Sequence, residues 1–495
     1  MNRKHFRRIF SAVLSLIMVF TLMVPFANAA SVVSPYYSDV KSTSSYYTAV
    51  NYLYEHGVMR QPFTAAAARK ATIQVNKFAP NQAITRLQLV HALWKMYGSP
   101  NVVESTIRMR DVYTNTDHLT AMRWAVGTGI LDSVTSGSYA PDEALSIEEV
   151  MLMLYRFVDY CGYDVSYSSA AVLPRLNNEE INHALNWAIS KGFINKLTAK
   201  GDYTADCSRG NVATYLYKIY NIYQKKYGLT VVNNDNLIAA SRAGKGMANM
   251  FRAAGAETIS FEDIYFDKAS PNGLSFVDAM AAAFSEAKAL DICYLYCFSH
   301  GLPSGMFLFP NGNLSPATLR AEVDKYNGMF VVFIEACFSG TFIKKSVNGT
   351  DITDDMFDAE SFVSEFLATG QRKRSADNMV DESGRIKIIC SSTQHEYSWY
   401  QKSTRKGYAS DAWLTSCSMD GYADTYYFSG KELAADVNGD CKLSMAELFD
   451  YAYEMVASIE FYDDDDDEYY RQHMVCNPEN DDTIIFEIQD WEFLN

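Results

Sequence analysis

Between Ser31 and Tyr160 this chain of 495 residues contains no cysteine, and seven of its nine lie after Tyr227. So uneven a spread excludes a scaffold stapled by disulfides, and an odd count leaves at least one thiol unpaired within the chain. Cys293 and Cys297 have no second pair at zinc spacing to join them, and in an extended strand residues four apart stand about 13 Å from each other, too far for one ion or one disulfide. Both read as buried core thiols. Basic clusters are as scarce: 43 Lys and Arg face 59 Asp and Glu for a net charge of −16, and the basic residues come only in short runs. Nucleic acid is thereby an unexpected partner. After Phe26 no apolar run is long enough to span a bilayer.

What stands at the start is Arg3, Lys4, Arg7 and Arg8, then an apolar stretch from Ile9 to Phe26, then Ala27-Asn28-Ala29. A basic head, an apolar middle and a small-residue cleavage site read as a signal peptide over 1–29, with an uncleaved membrane anchor as the alternative. The mature chain is expected to be secreted. The length argues for roughly three units, and 48% apolar content supports sizeable cores.

The first half repeats itself. Lys77-Phe78-Ala79-Pro80 precedes Ile84-Thr85-Arg86 and a helix to Gly98; Ser138-Tyr139-Ala140-Pro141 precedes Leu145-Ser146-Ile147 and a helix to Gly162; Asp202-Tyr203-Thr204-Ala205 precedes Cys207-Ser208-Arg209 and a helix to Gly228. The aligned positions 86, 147 and 209 are spaced by 61 and 62 residues. Each unit also holds an earlier helix closed by a glycine turn, as at Tyr54-Glu55-His56-Gly57. Two helices cannot bury their apolar faces alone, so the three units should pack together. They resemble S-layer homology repeats at 35–98, 105–165 and 168–228, the first most closely through Tyr37-Ser38-Asp39-Val40 and Ile84-Thr85-Arg86. The resemblance implies an all-α unit holding acidic secondary cell-wall polysaccharide, with Asp39, Arg86 and Arg209 as candidate contacts. A guanidinium fork suits a sugar carboxylate. The second repeat has Ile147 at the arginine position, so one groove should be weak or empty. A helical repeat domain binding some protein is the plainer alternative.

From 230 to 495 strands alternate with helices, which argues a mainly parallel α/β domain. Ile292–Phe298 and Met329–Ile334 read as strands buried on both faces, each ending in a motif: Ser299-His300-Gly301, and Glu335-Ala336-Cys337-Phe338-Ser339-Gly340. A hairpin over Met306–Phe309, turning at Pro310-Asn311-Gly312, and a helix opened by Ser315-Pro316 lie between them. Strand, helix, strand implies a parallel pair, so both motifs emerge at one edge of the sheet, where sites are built. A lone histidine or cysteine is usually a core residue. Here the two arrive jointly, each followed by small residues that admit a substrate backbone.

The wording and order resemble the caspase-like cysteine peptidases, most closely the legumain branch, over roughly 236–390. That resemblance implies acyl transfer, with Cys337 as nucleophile, His300 as acid and base, and the amides of Gly301 and Cys337 as oxyanion hole. It marks Glu335 as the specificity residue, in a group that includes both Arg/Lys-cleaving and Asn-cleaving enzymes. On an alternating strand Glu335 should neighbour Cys337, and, buried without a partner, would call for a cationic substrate side chain. Ser392 and Trp399 are candidate pocket walls and Glu396 a further acid, while His395 reads as a polar loop residue. Basic residues at Gln371-Arg372-Lys373-Arg374-Ser375, in the stretch 344–385, are a candidate self-cleavage site or simply a solvated loop.

Asp436-Val437-Asn438-Gly439-Asp440-Cys441-Lys442-Leu443-Ser444-Met445-Ala446-Glu447 fits a calcium loop, with ligands from Asp436, Asn438, Asp440, the Lys442 carbonyl, Ser444 and Glu447. It departs from the pattern at Cys441, where glycine is usual and a left-handed backbone costs roughly 1 kcal/mol. The acidic run Asp463–Glu468 reads as a solvated loop. Together these features predict a secreted endopeptidase held on a bacterial cell wall. The rival is a wall-bound adhesin or inactive pseudopeptidase.

Overall fold

The computed structural model describes residues 33–63, 76–100, 107–112, 116–134, 136–167, 178–195, 203–234, 239–270, 273–310, 312–343, 379, 384–401, 405–420, 427–428, 432–463 and 468–488. The signal segment and the basic run at 371–375 lie outside them. No helix among the described residues is long and apolar enough to cross a membrane.

The repeats contribute six helices to the described residues: α1 (Tyr47–Glu55), α2 (Arg86–Met96), α3 (Thr116–Gly127), α4 (Ile147–Tyr160), α5 (Glu179–Ser190) and α6 (Arg209–Tyr223). The second helix of each repeat starts for one reason. Thr85, Ser146 and Ser208 stand in extended conformation at the N-cap, and their hydroxyls accept the amides of Gln88, Glu149 and Asn211. Such caps contribute about 1 kcal/mol each. A cycle of backbone bonds then joins the repeats. Ile84 donates its amide to the Cys207 carbonyl (2.8 Å), Leu145 to Ile84 (3.0 Å) and Cys207 to Leu145 (2.8 Å). Around this ring one apolar core runs through all three units, with Trp94, Trp124 and Trp187 inside it.

Helix α6 stops at Tyr223, short of Gly228, and a strand, β1 (Lys226–Val232), follows at once. Gly228 is an interior strand residue and not a helix stop: a Cβ there would come within 2.5 Å of Thr258 Oγ1. The repeat unit therefore ends near Gln224, earlier than the expected boundary at 228.

Strand β1 opens a sheet completed by β2 (Glu257–Glu262), β3 (Ile292–Phe298), β4 (Met329–Glu335), β5 (Ile386–Cys390) and β6 (Val475–Asn477), in the order β6-β5-β4-β3-β1-β2. Every pairing is parallel except that of β6 with β5. Crossover helices cover both faces, which is why β1, β3 and β5 are buried along their whole length. Alternate residues of β3 divide between two cores. Tyr294, Tyr296 and Phe298 pack with α7 (Ala240–Ala253), α10 (Tyr408–Ser416) and α11 (Met445–Ala457). Cys293, Leu295 and Cys297 pack with α8 (Phe276–Phe284) and α9 (Pro316–Val323) on the other face. As expected of core thiols, Cys293 and Cys297 are buried and unbridged.

Candidate active site

Register fixes the site. On β3 and β4 Phe298 lies opposite Glu335, and the next amide, Ser299 N–H, still donates to the Glu335 carbonyl. Both chains then leave the sheet at one edge. His300 is exposed there, its carbonyl accepting the Phe307 amide at 2.8 Å, which turns the chain into the hairpin of Gly301–Leu302 and Gly305–Phe309. Gly301 lies against the cysteine backbone so closely that a Cβ on it would fall 1.6 Å from the Cys337 carbonyl oxygen. Only glycine permits that approach.

Past β4 the chain is clamped by serines. The Ser391 hydroxyl accepts the Ala336 amide (3.1 Å), the Ser392 hydroxyl donates to the Ala336 carbonyl (3.0 Å), and Ser339 N–H donates to Ser392 Oγ (3.2 Å). Phe338 adopts a φ of 57°, bending the chain directly after the nucleophile candidate. The Cys337 sulfur accepts the Ser398 amide at 3.4 Å. Burial pushes its thiol up, while bonds from the backbone amides of Ser398, Cys337 itself and Gly301 work against that rise. The Ser398 amide thus sits on the sulfur, at the strand end beside His300.

Glu335 is buried, and it does not lack partners. The Tyr296 hydroxyl and the Ser410 amide both donate to its carboxylate, and Gly407 is so close that a Cβ would lie 2.0 Å from Oε1. Strand β4 ends at Glu335, so the alternation that would set 335 beside 337 does not carry past it. Burial pushes this carboxyl up to about 7, against the opposing bonds from Tyr296 and Ser410. Ser392, expected as a pocket wall, is wholly buried and acts as the clamp just described. Trp399 stacks on Phe461 and Tyr470, with ring centroids 5.4 and 5.9 Å away, and its amide donates to Gln472 Oε1. Glu396 pairs with His473 (Oε1 to Nδ1, 2.7 Å), and that bond raises the imidazole pKa. The roles of Ser398 and Gln472 had no sequence signal, since both act through backbone or through a partner far along the chain.

The residues expected to hold polysaccharide face inward. Asp39 accepts the amides of Phe78 and Ala79. Arg86 donates to the carbonyls of Tyr139 and Ala140 and pairs with Glu143 at 2.7 Å. Arg209 is 1% exposed and spends its guanidinium on the Phe78 and Arg60 carbonyls and on Gln88 Oε1. Each arginine thus reaches from one repeat into the Tyr-Ala or Phe-Ala turn of the next.

In the 436–447 loop Asp436 accepts the amides of Gly439, Asp440 and Cys441, with Cys441 at φ 64°, the left-handed conformation expected there. Glu447 caps α11, taking the amide and hydroxyl of Ser444, and Asn438 Nδ2 donates to its other oxygen. Among the described residues no three His, Cys, Asp or Glu side chains converge as a metal-holding group. Asp440 Oδ2 is buried without a hydrogen-bond partner.

Residues 36–60 match the S-layer homology domain. No curated protein matches the chain. Among solved structures it is similar to the crystal structure of caspase-1 from Spodoptera frugiperda, over 52% of this chain and 90% of that one, at 14% identity and a TM-score of 0.33. A likeness so slight carries no weight beside the strand order itself. The chain therefore carries an S-layer homology domain at residues 36–60, ahead of a mainly parallel α/β domain.

Proposed function

We propose that this protein is a secreted, caspase-like cysteine endopeptidase held at the bacterial cell surface by its repeats. One observation carries the reading: the Gly301 backbone packs directly on that of Cys337, so the Cys337 thiol and the amides of both residues share the strand edge where His300 emerges. In the proposed reaction the thiol gives its proton to His300 and the thiolate attacks a peptide carbonyl. The oxygen that becomes negative is held by the two amides. His300 returns the proton to the departing amine, leaving a thioester, and then takes a proton from the water that cleaves it. The Glu335 carboxyl, buried beneath the site, supports a basic residue on the acyl side of the scissile bond over Asn or Asp. The S-layer homology match supports acidic cell-wall polysaccharide as the anchoring partner.

Calcium belongs to the same proposal. Asp436, Asn438, Asp440, the Lys442 carbonyl, Ser444 and Glu447 would hold it, and the unpartnered Asp440 oxygen supports the fit. Glu447 would exchange its capping bonds for the ion, whose contribution would be to fix the loop. A second reading, the adhesin or inactive pseudopeptidase, draws support from the Ser398 amide seated on a thiol whose pKa is raised. Incubating the full chain with a peptide library separates the two. Cleavage after Arg or Lys, abolished in Cys337→Ala and kept in Cys293→Ala, is the expected result; turnover surviving in Cys337→Ala would end the peptidase reading.

A further inference from the structure

Two stretches far apart in sequence meet at the edge of the sheet that carries the thiol: residues 391–399, which follow β5, and residues 471–473, which precede β6. Gln472 joins them from a wholly buried position. Its side-chain amide makes three hydrogen bonds: Oε1 accepts the Trp399 amide (2.8 Å), and Nε2 donates to the Ser391 carbonyl (2.7 Å) and to Ser398 Oγ (3.4 Å). We propose, resting on the reading of Cys337 as the nucleophile, that Gln472 is a positioning residue of the thiol site. It holds the Ser398 amide against the Cys337 sulfur and so governs how readily that sulfur reacts.

Regular structure does not hold this segment in place. Residues 397–399 belong to no helix or strand, so no ladder of backbone bonds fixes them. The Ser398 amide points to the sulfur (3.4 Å), and the next amide, at Trp399, points to Gln472. Gln472 therefore grips the chain one residue past the amide that touches the thiol. Its Nε2 reaches the Ser391 carbonyl, and the Ser391 hydroxyl takes the Ala336 amide at 3.1 Å, one residue before Cys337. A ring is thus closed through Cys337, Ser398, Trp399, Gln472, Ser391 and Ala336. Gln472 enters it from far along the chain, and its removal leaves the Trp399 N–H and the Ser391 carbonyl without the partner they have here.

The Ser398 bond matters more once the sulfur is charged. An amide donates more strongly to a thiolate than to a thiol, so a fixed Ser398 N–H favours loss of the proton. Burial pushes the Cys337 thiol up, and the Ser398 amide opposes that rise. The far end of the segment keeps a tether of its own. Phe338 N–H donates to the Glu396 carbonyl (2.8 Å), and the Glu396 carboxylate is paired with His473. Loss of Gln472 therefore loosens the Ser398 end selectively. The titratable groups around the thiol are His300 on the neighbouring strand end, Glu335 on its own strand, and His395, Glu396 and His473 on the two stretches that Gln472 joins. All of them are kept in a Gln472 variant.

The test is alkylation of the full chain with iodoacetamide over about pH 5–10, read at Cys337 by peptide mass spectrometry. Exposed Cys441 is the internal reference in every sample. Gln472→Met removes all the bonds of the amide at nearly constant side-chain length. Its Cys337 midpoint should rise by about one pH unit, an alkylation rate about tenfold lower at neutral pH, with Cys441 unmoved. Gln88→Met, which removes a buried glutamine of the repeats, controls for general loosening and should leave the midpoint alone. Ser398→Pro deletes the amide itself and should give the same rise, and Gln472→Met should add little on top of it, since both act through one bond. Should Gln472→Met not fold, Gln472→Asn takes its place: too short to span from Trp399 to Ser391, it should slow alkylation about threefold at neutral pH. An unmoved midpoint in a folded Gln472 variant, or additive shifts in the double variant, would overturn the positioning role. Faster alkylation at every pH would overturn it too, because Gln472 would then be holding a cover over the thiol. Peptide hydrolysis is scored separately. A shifted midpoint in a chain that cleaves no peptide would sink the peptidase reading and spare Gln472, and cleavage with an unmoved midpoint would do the reverse.

Discussion

Gly301 shows how much of the proposed chemistry depends on one missing atom. Nothing separates it from the Cys337 carbonyl, where a Cβ would sit at 1.6 Å. Gly301→Ala must push the two backbones apart, displacing one oxyanion donor. The expected loss is roughly 100-fold in kcat, read with a chromogenic Arg substrate, with KM much less affected. Glu335 offers a test that needs no substrate. Its folded pKa is about 7, raised by burial from an ordinary 4.5. A carboxyl raised by folding keeps its proton where the unfolded chain has released it. Stability is then fullest below pH 4.5 and falls by roughly 1.4 kcal/mol per pH unit until about 7. Glu335→Gln abolishes that slope, so its melting temperature should gain on the parent between pH 5 and 7. A difference constant with pH would mean that Glu335 does not titrate in this way.

At the scale of elements, the 436–447 loop precedes α11, and α11 packs against α10, whose Ser410 amide bonds Glu335. An ion bound only by the folded loop adds stability by mass action, about 2.7 kcal/mol at a hundredfold excess over Kd. The melting temperature should rise between chelator and millimolar calcium, and Asp440→Ala should remove the rise. The elements flanking the thiol were readable in advance because they are short, wholly apolar and sharply punctuated. Strand β3 runs as expected, and β4 exceeds its expected end by one residue. Strand β1 was not readable. Lys226-Tyr227-Gly228 looks like the polar end of a helix, and only distant contacts, such as that of Lys226 with Glu487, bury it. Helix α7 runs through Gly244 and Gly246, poor helix formers in isolation that let it lie close on the sheet. A Cβ on Gly244 would stand 3.0 Å from Val232. The inward turn of Arg86 and Arg209 was hidden for the same reason: the carbonyls they satisfy are 53 and 131 residues away.

On the scale of the whole molecule, repeats and α/β domain meet through buried polar contacts. Lys442, inside the 436–447 loop, pairs with Glu55 of α1 at 2.9 Å and lies over the Tyr52 ring. The Tyr163 hydroxyl donates to Asp291 just before β3. Glu55 is so enclosed that burial raises its pKa despite the lysine. Lys442→Met strands that carboxylate, and the expected cost is roughly 3 kcal/mol, recovered in large part by adding Glu55→Gln. Equal melting of the single and double variants would show that the pair does not couple the two halves. The backbone ring at the centre of the repeats carries a different consequence. Each amide in it points to a neighbour's carbonyl in a single rotational sense, and the third bond returns to the first. The arrangement is a closed head-to-tail assembly written into one polypeptide, and such contacts admit only the number of members that completes the turn. A chain cut to two repeats would present one open donor edge and one open acceptor edge, and would be completed by another molecule's repeat: truncation should yield interlocked oligomers, not a smaller monomer.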